Sequence, residues 1–137
     1  MISGSSVTAR WLAAGDSGNL DEFDRLMHAD VVVHAPAGLS TTSRDEEKQV
    51  WRDALASLHG LRHEIQEILA DGDTEMARVI VTGTIVGDLG SVTTEATGAG
   101  RAFTLDQAII CHLRDGLIAE AWEIADIAAL LTAPPRD

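Results

Sequence analysis

Over the last third of the chain, apolar and polar residues alternate with a period of two, which predicts two β-strands. On the first, Gln107, Ile109, Cys111 and Leu113 share one face, and Asp106, Ala108, Ile110 and His112 the other. Asp115-Gly116 follows, a pair that favours a tight hairpin turn because Gly tolerates positive φ. On the second strand Ala119, Ala121, Glu123 and Ala125 oppose a face of Ile118, Glu120, Trp122 and Ile124. Ala is a poor strand former that fills little space, so alanines around one carboxylate predict a recess beside it.

Upstream the spacing is first helical. Val7 to Ala14 carries apolar residues at helical intervals and stops at Gly15, and Asn19 caps a second predicted helix from Leu20 to Met27 with Asp21 and Glu22 in its first turn. Val31 to His34, closed by Pro36 and Gly38, reads as a short strand. After a polar loop from Leu39 to Thr42, Ser43 with Glu46 forms a capping-box pattern for a third helix ending near Leu58, before Gly60. Strands are then predicted over Leu61 to Leu69 and Met76 to Val86, with a turn at Asp71-Gly-Asp-Thr between them. Gly87 to Gly100 is the longest irregular stretch, and Asp126 caps a last helical turn before Pro134-Pro135. Helices first and hairpin-linked strands afterwards predict an α+β fold, with a curved, mostly antiparallel sheet wrapped against the N-terminal helices and one domain over residues 1–137.

Composition narrows the partners. Charged residues make up 23% and apolar ones 45%, an ordinary globular balance. The net charge of −12, from 22 acidic against 10 basic residues, disfavours nucleic acid and anionic membrane. No stretch reaches the roughly 18 apolar residues of a membrane helix, and Cys111 is the only cysteine, so a reducing, cytoplasmic location is expected. His59 and His63 have the spacing of paired helical metal ligands, but Gly60 interrupts the helix and no fitting carboxylate follows, so no metal is expected. Gly98-Ala-Gly100 leads into a strand rather than a helix, which excludes a dinucleotide cradle.

The element order, together with Asp106-Gln107 and Leu113-Arg-Asp-Gly-Leu-Ile-Ala-Glu-Ala-Trp122-Glu-Ile-Ala-Asp126, resembles the SnoaL-like polyketide cyclases of the nuclear transport factor 2-like superfamily. Val32-Val-His34-Ala-Pro36-Ala-Gly38 and Val81-Thr-Gly-Thr84 extend the likeness over most of the chain. The resemblance implies a cone-shaped α+β barrel and a cofactor-independent intramolecular aldol ring closure. It implies a carboxylic acid/base just after the strand Trp, where this chain has Glu123, and a polar pair on the preceding strand. Gln107 fits the first member of that pair, and Ile109 stands where the second would be.

The residues themselves allow the following roles. Glu123 suits an acid/base whose pKa burial would raise; alternation alone does not choose between its face and that of Glu120, and the resemblance selects Glu123. Gln107 is either a donor to a substrate carbonyl or a strand amide satisfied by backbone. His34 reaches the mouth of a cavity or anchors its loop, and His63, on a face with Leu61, Ile65 and Leu69, is a buried core residue or a substrate contact. Trp51 and Trp122 offer flat walls to an apolar or polycyclic small-molecule substrate, with Ile109 beside them. Epoxide opening in the same pocket is the alternative chemistry, with Glu64 or Asp106 as the second carboxylate, and a non-catalytic binding module is a third. The apolar outer face of a curved sheet suggests a homodimer.

Overall fold

The computed structural model describes residues 6–86 and 101–126. The expected irregular stretch at 87–100 and the final helical turn after Asp126 lie outside them. Helix α1 is Val7–Ser17, followed by a 3-10 segment Leu20–Arg25, strand β1 Met27–His34, helix α2 Arg44–Ser57, and strands β2 Leu58–Asp71, β3 Thr74–Ile85, β4 Arg101–Arg114 and β5 Leu117–Ala125. The five strands form one sheet in the order β1-β5-β4-β3-β2. All neighbours are antiparallel except β1 and β5, whose parallel pairing returns the N-terminal strand to the sheet edge. The α+β expectation is met.

Three boundaries differ from the sequence reading. Helix α1 runs through Gly15 and stops at Gly18, whose φ of 78° closes the helix with N–H bonds to Ala14 and Gly15 carbonyls. Gly15 is there for space: a Cβ on it would sit 2.4 Å from the Trp51 ring. Second, the segment after Asn19 is a six-residue 3-10 turn without a side-chain cap, and Met27 already belongs to β1. Third, β2 begins at Leu58 and takes in Gly60, whose φ of 67° lies where the register with β3 shifts. The Ser43 cap holds: its hydroxyl accepts from the Glu46 N–H at 3.1 Å, while the Glu46 carboxylate reaches back to the N–H of Thr42 at 2.7 Å.

The helices cover one face of the sheet. Trp11, Phe23, Leu26 and Met27 pack there against Val31, Val33, Val79, Ile109, Ile118 and Ala121. Two bulges correct the predicted faces. Leu113 pairs with Ile118 and His112 with Glu120, so Ile118 turns inward and is fully buried although regular alternation puts it outside. The shift between Ile65 and Glu67 likewise turns Ile68 toward the core and leaves Leu69 68% exposed, off the face of His63.

Candidate functional site

Strand register assembles the inner face. Across it, Ala77, Ile109 and Glu123 stand in one row, and Val79, Gln107 and Ala125 in the next. Glu123 therefore projects between Ala121 and Ala125, with Ile109 opposite. Glu120 points the other way and bonds His34.

The Glu123 carboxyl has no hydrogen-bond partner among the described residues. It keeps some accessible surface, yet its surroundings are closed enough for burial to be the main influence on its titration. Burial first, and the charge of Glu47 second, push its pKa up to about 8.

Glu47 is the residue that sequence reasoning missed. It lies on α2, 2% exposed, where Thr41 Oγ1–H donates to its Oε1 at 2.9 Å and Trp51 Nε1–H to its Oε2 at 3.0 Å. Thr41 is held in place by a backbone bridge to Val33, with N–H to carbonyl bonds of 3.0 and 2.9 Å. Burial raises the Glu47 pKa, and the two donated hydrogen bonds oppose the rise. With both its oxygens accepting, Glu47 is the better seat for the charge. Glu123, with no donor, is the better seat for the proton. The signal in the sequence was Glu47 standing four residues before Trp51, hence on the same helical stripe.

Gln107 lines the same face with its Oε1 buried and without a hydrogen-bond partner among the described residues. Trp51 is 6% exposed, edge-on to Phe23 at 6.1 Å and tilted against His63 at 5.2 Å. His63 is fixed by Asp16 at the end of α1, whose Oδ2 accepts the His63 backbone N–H at 2.6 Å and whose Oδ1 meets ring Nδ1 at 2.7 Å. Asp16 was not foreseen, because the helix was expected to end before it.

Other expected residues lie elsewhere. His34 and Trp122 stand on the outer face, their rings stacked at 5.2 Å, with His112 edge-on to Trp122 at 4.8 Å. Strand alternation separates them from Glu123, so they do not share its recess. Glu64 and Asp106 are exposed, at 59% and 82% of their side chains, and form ion pairs with Arg62 and Arg78. Neither acts on Glu123; the carboxylate whose charge reaches it is Glu47. Glu75 is a further buried acid: its Oε1 accepts from Ser6 Oγ, Thr8 N–H and Thr8 Oγ1 at 3.0, 2.8 and 2.7 Å, tying β3 to the start of α1. Beside it burial pushes the Cys111 thiol up to about 12, which makes it a poor nucleophile. Among the described residues no group of three or more His, Cys, Asp or Glu is placed to hold a metal ion, and no helix is long and apolar enough to cross a membrane.

Comparison with known proteins agrees with this fold. The family model for SnoaL-like polyketide cyclases matches residues 6–133. IdmH from Streptomyces antibioticus, provisionally described as a polyketide cyclase, is 26% identical with a TM-score of 0.76, covering 93% of this chain and 94% of its own. TsrD from Streptomyces laurentii is 21% identical with a TM-score of 0.78, covering 98% of this chain and 100% of its own. A protein of ketosteroid isomerase-like fold from Catenulispora acidiphila, solved with trimethylamine, is 19% identical with a TM-score of 0.72, covering 89% and 86%. No curated protein matches the sequence.

Proposed function

The chain belongs to the SnoaL-like polyketide cyclase family, and from that premise we propose that it closes a ring in a small polyketone by a cofactor-independent intramolecular aldol reaction in which Glu123 is the acid/base. The observation that carries the reading is the Glu123 carboxyl, without a hydrogen-bond partner among the described residues, set between Ala121 and Ala125 on the inner sheet face, where burial and the charge of Glu47 push its pKa up to about 8. In its ionised form it takes a proton from a carbon between two carbonyls. The resulting enolate carbon attacks a third carbonyl carbon, a C–C bond forms, and the new alkoxide recovers the proton from the Glu123 carboxylic acid. Gln107 orients the substrate through its side-chain amide, whose N–H group donates to the enolate oxygen. Glu47 holds negative charge behind Glu123 and so keeps the proton affinity of the acid/base high.

The direct test is mass-spectrometric detection of cyclised product from a panel of linear and partly cyclised polyketones; a panel left unchanged by the wild-type protein at high enzyme concentration would refute the reading. The paired carboxyls also favour epoxide opening as a second reading: Glu123 protonates the epoxide oxygen as its C–O bond breaks, while water or a substrate hydroxyl adds to the ring carbon and gives up its proton to the second carboxylate, Glu47. Turnover of epoxides but not polyketones selects it.

Gln107→Leu should separate recognition from stability. Removing an unsatisfied buried acceptor should raise stability by about 1 kcal/mol, while loss of the amide should lower turnover by about 100-fold. Urea melts and kinetics on the same preparation check both.

We also propose a homodimer through the outer sheet face. Leu69, Met76, Ile110, Trp122 and His34 form one row across all five strands, and Leu69, Met76 and Ile124 are 68%, 47% and 57% exposed. A largely apolar row of this kind, ending on His34, is unusual on a monomer. Ile124→Glu should halve the mass measured by light scattering; an unchanged mass argues against this face.

A further inference from the structure

We infer that the ligand of the inner sheet face carries an ammonium group, seated between the Glu123 carboxylate and the side-chain oxygen of Gln107. The inference rests on reading that face as the ligand's place, and not on ring closure itself. Register makes the two acceptors neighbours: Ile109 stands opposite Glu123 and Gln107 opposite Ala125, so Gln107 and Glu123 are diagonal across β4 and β5. Diagonal partners lie roughly 7–8 Å apart at the backbone, within reach of one small group held between two long side chains. Among the described residues Gln107 Oε1 is buried without a partner, and the Glu123 carboxyl accepts no hydrogen bond.

What this face lacks is a cation. Enclosed carboxylates are ordinarily met by Arg, Lys or a metal ion, because an ionised group without one is costly away from water. Here the chain's own cations serve surface acids. Arg44 and Lys48 meet Asp24 at 3.1 and 2.8 Å, Arg78 meets Asp106 at 3.4 Å and Arg114 meets Asp30 at 3.4 Å, each of those acids more than half exposed. Glu47, 2% exposed, has only the neutral donors Thr41 and Trp51. The other titratable groups on this side are engaged or hold their protons: Glu75 accepts from Ser6 and Thr8, His63 is taken by Asp16, and the Cys111 thiol is pushed up to about 12. Among the described residues no group of three or more possible ligands is placed to hold a metal ion. An ammonium group supplies the missing charge, and its several N–H bonds match two acceptors at once, which a neutral hydroxyl with one proton cannot do. Its arrival displaces the proton from Glu123 and leaves the carboxylate ionised.

The test uses benzylamine and benzyl alcohol, probes of nearly one shape that differ in charge, on the full-length protein. At pH 7 the wild type should bind the amine at least about tenfold more tightly than the alcohol, the advantage of a hydrogen bond between charged groups. Calorimetry in two buffers of different ionisation heat should show about one proton released for each benzylamine bound and none for the alcohol. Glu123→Gln should bring the two probes to within about twofold of each other and end the proton release, while Glu64→Gln, which removes an exposed acid, should leave both as in the wild type. Equal affinity of the probes, failure of benzylamine to bind, a preference that survives in Glu123→Gln, or one that disappears in Glu64→Gln would each overturn the inference. If Glu123→Gln does not fold, the probe ratio and proton release of the wild type decide. Ring closure is read separately: a polyketone panel left unchanged while the amine preference holds removes the ring-closure reading alone, and cyclised product with equal probe affinities removes this inference alone.

Discussion

Glu123→Gln is expected to give a folded protein that is more stable than the wild type at pH 8 and slower in ring closure by about 10²–10⁴-fold. The two effects have one cause. Burial and the Glu47 charge raise the Glu123 carboxyl from its ordinary 4.5 to about 8 in the folded chain. Between those values the unfolded chain has released the proton and the folded chain still holds it, so stability falls as the pH rises. Below 4.5 both states hold the proton, above 8 neither does, and the contribution is flat at each end. The slope from this group is at most about 1.4 kcal/mol per pH unit. Glutamine carries no titratable proton, so the variant's stability should be much flatter between pH 5 and 8, keeping only the part due to Glu47, whose pKa is also raised. Chemical melts across that range measure the difference, and parallel slopes would show that Glu123 ionises freely. For the wild type, kcat/KM should climb with pH and level near 8, because the ionised carboxylate is the form that removes the carbon-bound proton. A profile that falls with pH instead makes Glu123 an obligatory acid, as epoxide opening would require.

How the carboxyl came to be readable in advance, while its partner did not, has a physical explanation. Strand alternation is local and the hairpin at Asp115-Gly116 is legible, but regular pairing from that turn would set Glu123 opposite Ala108; the bulge beside Ile118 shifts the register by one and sets Glu123 opposite Ile109 and Gln107 opposite Ala125. Alternation leaves two faces unlabelled, and only the helices packed on one of them distinguish Glu123 from Glu120. His34 was expected at the mouth of a cavity because it ends the first predicted strand before Pro36, and Trp122 as a flat wall; their parity with Glu120 puts them outside. Ile118 and Leu69 were misplaced by single-residue bulges, which reverse parity without any strong signature in the chain. Glu47 and Asp16 belong to helices whose contacts with the sheet are made far along the chain. Their roles depend on Trp51 and His63 meeting in space, and no periodicity encodes that meeting.

The hydrogen bond from Trp51 to Glu47 depends on how closely α1 approaches the indole ring, and Gly15→Ala measures it. A Cβ at residue 15 would fall 2.4 to 2.6 Å from three carbons of the Trp51 ring, well inside van der Waals contact. The ring has little freedom to retreat, with Phe23 edge-on to it, His63 on another side, and its Nε1 committed to Glu47. Helix α1 or the indole must shift, at an expected cost of about 1–3 kcal/mol in unfolding free energy. Ala is otherwise the better helix former, and on an unobstructed helix the same change would stabilise by about 1 kcal/mol, so the sign of the effect is diagnostic. Displacing Trp51 also removes a donor from Glu47, which weakens the seat of the negative charge and moves proton affinity from Glu123 toward Glu47. The variant should thus lose stability and also lower the pH at which kcat/KM levels off, whereas a purely structural lesion would lower stability and leave the profile where it was. Urea melts and a pH series on Gly15→Ala distinguish the two outcomes.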